Sequence, residues 1–195
     1  TTEEVFRVFG EIRGLVDENS PGRDWNVATS MVINGEAAMQ IMGDWAKGEF
    51  TVAGKTPGVD YACVAAPGTS GSFTFNVDSF AFFAQSDADA QKAQQEMAKQ
   101  ILGQDFQKVF NLNKGSIPAR LGMARDEFDS CAHASMDAFV SSSQTGGLVP
   151  SFAHGMAVPE AVSGAIYDTA TNFFNSDQSA ADGKAQLIAS IQSAM

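Results

Sequence analysis

The sequence predicts an α/β fold: a small, mostly parallel sheet flanked by helices, with a helical C-terminal third. Three observations carry that prediction. Apolar residues recur at helical period in several stretches, short apolar runs bounded by Gly and Pro read as strands between them, and the last third holds only helical patterns.

Thr1 or Thr2 caps a first helix, whose apolar residues Val5, Val8, Phe9, Ile12, Leu15 and Val16 follow the 3.6-residue period. Pro21-Gly22 ends it. A short helix over 25–33 closes on Asn34-Gly35 as a left-handed cap. Residues 37–42 are predicted as a strand, too apolar on both faces to lie at an exposed edge. Asp44 then caps a short helix ending near Phe50. A loop with Gly54, Pro57 and Gly58 leads to a second strand over 59–66, halted by Pro67-Gly68. After the turn Thr69-Ser70-Gly71-Ser72, residues 73–84 read as a third strand.

Ser86-Asp87 caps a helix to about Gly103, and a further helix over about 104–111 runs into a loop over 113–120. Later helices are predicted over about 126–142, 159–175 and 179–193. There is no internal repeat, and residues 141–147, rich in Ser and Gly, form only a loop.

Composition excludes several function classes. The net charge is −11, and the 12 Lys and Arg residues are scattered, so no basic patch exists for nucleic acid. No apolar run approaches the ~18 residues of a membrane span. The chain shows no signal peptide and starts without Met inside a helix cap, which reads as a processed chain or a fragment. Fifteen Phe against two Tyr and two Trp assigns most aromatic residues to the core and singles out the tryptophans.

Enzyme signatures are missing. GxGxxG, GxxxxGK[ST], GxSxG and HExxH do not occur, and His133 and His154 stand 21 residues apart with no acid or thiol at ligand spacing beside both, so neither a cofactor nor a metal is expected. His133 lies on a predicted helix and reads as a surface or packing residue. Asp44 and Asp78 could form the carboxylate pair of a glycoside hydrolase, but among 23 acids such a pair is cheap. Cys63 and Cys131 are either two buried thiols or one disulfide closing a long loop, worth roughly 4 kcal/mol in the chain-entropy model. Export would favour the bridge.

The most informative stretch is Gly35-Glu36-Ala37-Ala38-Met39-Gln40-Ile41-Met42-Gly43-Asp44-Trp45, an apolar run that ends on a glycine and delivers an acid beside a tryptophan. An indole suits the C–H face of a pyranose, while acids and amides take its hydroxyls; the plainer reading is a Trp that helps close a core. Asp78 is an acid among Phe75, Val77, Phe80, Phe82 and Phe83, so it is either paired or functional. His154, in the irregular stretch 148–155, offers one donor and one acceptor from a loop.

Together these blocks resemble the periplasmic solute-binding proteins of ABC sugar importers, in the glucose- and mannose-binding branch. The matching residues are Asp24-Trp25 with Ala28-Thr29, Gly35-Glu36-Ala37-Ala38-Met39, Ile41-Met42-Gly43-Asp44-Trp45, Ala66-Pro67-Gly68-Thr69 and Val77-Asp78-Ser79-Phe80. Asn113-Lys114-Gly115-Ser116-Ile117-Pro118-Ala119-Arg120 and Val149-Pro150-Ser151 leading to His154-Gly155 complete the set.

The resemblance implies a type II binding-protein lobe and reversible monosaccharide binding, glucose first, with delivery to a membrane permease and no chemistry. It implies Trp25 and Trp45 as ring contacts, Asp78 as a hydroxyl acceptor, Lys114 as a charged donor and His154 as a further hydroxyl partner. It favours a Cys63–Cys131 disulfide through export to the periplasm. The match is to the C-terminal half of such proteins. Residues 1–75 and 120–195 would then form the C-terminal lobe, and 76–81 and 114–119 would be hinge crossings. Residues 82–113 would pack through Ala93, Met97, Ile101, Phe106 and Phe110 on an N-terminal lobe. Rival readings are a binder of another mono- or oligosaccharide, a fragment without its own binding, and a secreted glycoside hydrolase.

Overall fold

A computed structural model describes residues 1–195. Eight α-helices follow in order: α1 (Thr2–Arg13), α2 (Trp25–Ile33), α3 (Lys47–Val52), α4 (Ala88–Ile101), α5 (Gln104–Lys114), α6 (Ser130–Thr145), α7 (Glu160–Phe174) and α8 (Ala180–Ala194). Two short strands, β1 (Phe73–Phe75) and β2 (Leu148–Pro150), pair as one parallel two-stranded sheet. Single 3-10 turns lie at Asp44–Ala46 and Phe152–His154. The chain divides into two compact units, residues 1–23 with 150–195, and residues 24–149.

The first unit is three helices. Thr1 caps α1, its hydroxyl accepting from the Glu4 N–H, and Ser179 caps α8 by accepting from Asp182 N–H. The side chain that α1 buries is Phe6, which meets Phe173 of α7 edge-on at 4.7 Å; Phe9 lies against Phe173 and Phe174. Of the expected stripe, Phe9 and Ile12 are half-buried, whereas Val5, Val8, Leu15 and Val16 are exposed. The residues 6, 9 and 13 form a neighbouring stripe at the same helical spacing, and aromatic area decides which stripe faces the core. Arg13 donates to the Phe173 and Ser176 carbonyls and so closes the end of α7.

In the second unit α3 packs on α2, on α5 and on the 3-10 turn at Asp44–Ala46, with α4 on α5 and α6 on β1 and on that turn. Phe50 of α3 stacks on Tyr61 at 4.2 Å, and Phe139 of α6 meets Phe73 and Phe75 edge-on. A disulfide joins Cys63 to Cys131 at the buried start of α6, across 68 residues. Asp129 caps α6 by accepting from Ala132 N–H at 2.8 Å, which starts that helix later than expected. Asp87 caps α4 in the same way.

The strand expectations are corrected. Only Phe73–Phe75 of the three expected strands forms one. Residues 37–42 are irregular, with Met39 79% and Ile41 71% exposed, although their composition called for burial. Residues 59–66 offer a single bridge, Pro57 to Tyr61. A strand is a ladder between two segments, so an apolar run signals a demand for burial but supplies no partner. The 37–42 run is held instead by one side chain: Gln40 donates from Nε2 to the Trp25 carbonyl at 2.9 Å and accepts from Thr29 Oγ1 at 2.7 Å.

Candidate functional site

Trp45 sits in the 3-10 turn that follows Gly43. Its indole folds back onto the Gly43 backbone, and a Cβ built at residue 43 would overlap the ring atoms Cζ3, Cη2 and Cε3. The glycine before the Asp-Trp pair is therefore there for space, not for an unusual backbone, since its φ of −69° suits any residue.

Asp44 is partly buried beside this indole. Burial pushes its carboxyl above the usual carboxylate range, against the pull of the Lys47 and Lys114 charges and of the Trp45 and Ile117 N–H groups. Lys47, three residues after Asp44, is buried and donates from Nζ to both oxygens of Asp129 at 2.9 Å. For Asp129, burial works upward, but the Lys47 and Ala132 hydrogen bonds and the Lys47 charge outweigh it and hold the carboxyl below its ordinary value. Tyr61, stacked nearby on Phe50, has its ionisation pushed up to about 12 by burial and by the Asp129 charge.

Gly48 and Gly115 bring two helices into backbone contact. A Cβ at Gly48 would stand 2.8 Å from the Lys114 carbonyl, and one at Gly115 would stand 2.6 Å from the Gly48 nitrogen. Gly115 also has φ +87°, the left-handed conformation that ends α5 by returning its N–H to Asn111.

Lys114, the last residue of α5, donates from Nζ to Asp78 Oδ2, 36 residues earlier in the chain. The other Asp78 oxygen accepts from Asn76 Nδ2 at 3.3 Å. The Lys114 ammonium also stands 5.6 Å from the Phe110 ring centre, within cation–π range, and Phe110 stacks on Phe106. A shallow hollow lined by Phe106, Val109, Phe110, Asn113 and Lys114 runs along this face of α5.

Four of the five expected site residues thus lie in the second unit. Asp78 and Lys114 are paired, and the Lys114 charge reaches Asp44, which adjoins Trp45. Trp25 opens α2, which packs on α3, and it is 39% exposed. His154 belongs to the first unit. It ends the 3-10 turn 152–154, with Nδ1 2.8 Å from the buried Ser151 hydroxyl. The turn is fastened to α7 by Tyr167, whose hydroxyl donates to the Ala153 carbonyl at 2.5 Å.

Sequence reasoning did not find Lys47, Gly48 or Gly115 as supports of this region; it read Asp44 as the acid beside the indole, as half of a carboxylate pair and as a helix cap, but Asp44 begins the 3-10 turn and makes no side-chain cap bond. A lysine reads as surface until its neighbours are known. The one available signal was the pair of glycines that flank the two helix ends beside Trp45 and Lys114. No three His, Cys, Asp or Glu side chains gather as a metal site, and no helix is long and apolar enough to cross a membrane.

A probable sugar-binding periplasmic protein of Brucella suis is 45% identical over 194 residues, covering 100% of this chain and 46% of its own length. One of the same description from Rhizobium meliloti is 44% identical over 192 residues, covering 98% of this chain and 46% of its own. An uncharacterized ABC transporter extracellular-binding protein of Pyrococcus horikoshii is 35% identical over 165 residues, 83% of this chain and 35% of its own. The chain spans about half the length of the curated relatives it matches. These relatives are periplasmic or extracellular solute-binding proteins. With residues 2–103 matching its profile, the chain belongs to the bacterial extracellular solute-binding protein family.

Proposed function

We propose that the chain is the sugar-binding C-terminal half of a periplasmic solute-binding protein, taking a monosaccharide, glucose first, for delivery to an ABC transporter. The observation that carries this reading is the Asp78–Lys114 pair in the same unit as Trp45. A carboxylate and an ammonium held together present acceptors and donors to neighbouring hydroxyls, and charge-assisted bonds to a neutral polyol are strong and directional. The Trp45 and Trp25 indoles supply aromatic faces for the C–H side of the ring. His154, on its 3-10 turn in the first unit, is a further candidate hydroxyl partner named by the resemblance alone. Sugar-binding names among the relatives support the ligand class.

In this reading residues 82–113 pack on an N-terminal lobe, and 76–81 and 114–119 are hinge crossings. Exposure supports it: α4 buries no residue, and Phe82, Phe83, Met97, Leu102, Val109 and Phe110 are open to solvent. Ligand binding would shift an open–closed equilibrium about those crossings, and the permease would receive the closed form.

A glucose titration by calorimetry tests the reading, with galactose, mannose and a maltose-type disaccharide as the panel. Saturable one-to-one binding of one monosaccharide is expected, with the disaccharide rejected. Absence of binding to every sugar in the whole protein would remove the proposal. The raised Asp44 carboxyl is also what an acid catalyst would need, so release of the aryl group from an aryl glycoside is measured alongside. Turnover that Asp44→Asn abolishes would favour the hydrolase instead.

A further inference from the structure

We infer that the Gly48–Gly115 backbone contact is a spacer that sets the separation of Trp45 from Lys114, making these two glycines positioning residues of the sugar site; this rests on the binding reading above. The two site residues lie on different elements. Trp45 lies in the 3-10 turn that runs directly into α3, three residues before Gly48. Lys114 is the last residue of α5, one residue before Gly115. Whatever fixes α3 against the end of α5 therefore fixes the indole against the ammonium.

That joint has no side chain in it. From one side, a Cβ on residue 48 would press on the Lys114 carbonyl at 2.8 Å and on the Asn113 carbonyl at 3.4 Å. From the other side, a Cβ on residue 115 would meet the Gly48 nitrogen at 2.6 Å, the Lys47 Cβ at 3.0 Å and the Lys47 carbonyl carbon at 3.2 Å. Every obstructing atom except the Lys47 Cβ is backbone, which cannot swing aside as a rotamer would. A methyl at either position has to part α3 from α5.

The surroundings leave the joint nowhere else to yield. Lys47 is anchored on its far side by Asp129, itself the cap of α6, two residues before the disulfide. Ser116, just past Gly115, donates to Asn111 Oδ1 at 2.7 Å, while the Asn111 amide donates to the Gln107 carbonyl, so the end of α5 is tied back on itself. Motion forced at the glycines is thereby passed to the two segments that carry Trp45 and Lys114.

Helix propensity makes the effect separable from general destabilisation. Residue 48 is helical, where Ala is better than Gly by about 1 kcal/mol, so without the close contact Gly48→Ala would help the fold. Gly164 of α7 is a control, being helical with open space around its Cβ.

The experiment uses the whole protein with Gly48→Ala, Gly115→Asn and Gly164→Ala. Asn tolerates the left-handed backbone of residue 115 and still places a Cβ in the joint. Glucose affinity is read by calorimetry, and Trp45 emission with acrylamide quenching is read in a Trp25→Phe background without sugar. Expected are cooperative unfolding in each variant, a shifted Trp45 emission, and at least about tenfold weaker glucose binding for Gly48→Ala and Gly115→Asn, with neither change for Gly164→Ala. Unchanged affinity and emission in both joint variants would overturn the spacer while leaving sugar binding intact. Loss of cooperative unfolding in both would assign the contact to the fold and also overturn it. If the unmodified protein binds none of the sugars, the binding reading falls, and the Trp45 emission alone decides whether the joint positions that indole.

Discussion

Lys47 places its ammonium 2.9 Å from both oxygens of Asp129, 82 residues away, with the lysine side chain only 7% exposed. The pair links the helix that follows Trp45 to the cap of α6. It serves two ends at once, because the same carboxylate accepts from the Ala132 N–H. Removing Lys47 takes the ion pair from Asp129, whose side chain is 36% exposed and keeps its Ala132 hydrogen bond. Lys47→Met should lower stability by about 1–3 kcal/mol in denaturant unfolding, and no measurable cost would mean that the pair is solvated as loosely as a surface pair.

The pH dependence follows from the same carboxylate. Its folded value is lowered, so its stabilisation is present above the unfolded carboxylate value near 4 and is lost as pH falls through the folded value. Asp129→Asn should flatten the acid limb of the stability–pH curve. An acid limb of unchanged slope would show that other carboxylates control it.

Tyr61 gives a second titration of known sign. Its raised value means that the folded state favours the neutral phenol, with stability present below the unfolded value near 10 and lost as pH rises through about 12. Tyrosinate absorbance should show one of the two tyrosines ionising late, and Tyr61→Phe should remove that late step.

Trp45 and the glycine beneath it make a paired prediction. Trp45→Ala should abolish most sugar affinity and leave the fold, since the indole is not among the buried core residues. Gly43→Ala should displace the ring, because the new methyl occupies its place, and should weaken binding by about tenfold or more with a changed near-ultraviolet tryptophan signal. Calorimetry showing wild-type affinity for Trp45→Ala would take that residue out of the site.

Gly183 tests the first unit. A Cβ there would lie 2.7 Å from Phe173 Cδ2 and 2.9 Å from Phe6 Cδ1, between the rings that form the core. Gly183→Ala should therefore destabilise by about 1–3 kcal/mol despite the better helix propensity of Ala. A rise in melting temperature would show that the two rings give way freely.

Much of this protein was legible in the chain because the signals were local. Thr1 and Asp87 were readable as caps, and each accepts an N–H in the first turn of its helix. Asn34-Gly35 ends α2 as its left-handed geometry requires, with Glu36 N–H returning to the Met31 carbonyl. The strands were not legible. Residues 37–42 and 59–66 have the composition of strands, yet a ladder needs a second segment, which no window of sequence contains.

The sequence by itself determined the eight helices, the caps of α1 and α4 and the ordered motif blocks that mark a solute-binding protein, because capping, periodicity and turn chemistry act within a few residues. The tertiary structure alone decided that Cys63 meets Cys131, that Lys47 is buried against Asp129, and that Asp78 pairs with Lys114. It alone decided that two glycines 67 residues apart touch. Such contacts depend on where distant segments come to rest, and charge, thiol and glycine have no local preference that encodes their partner.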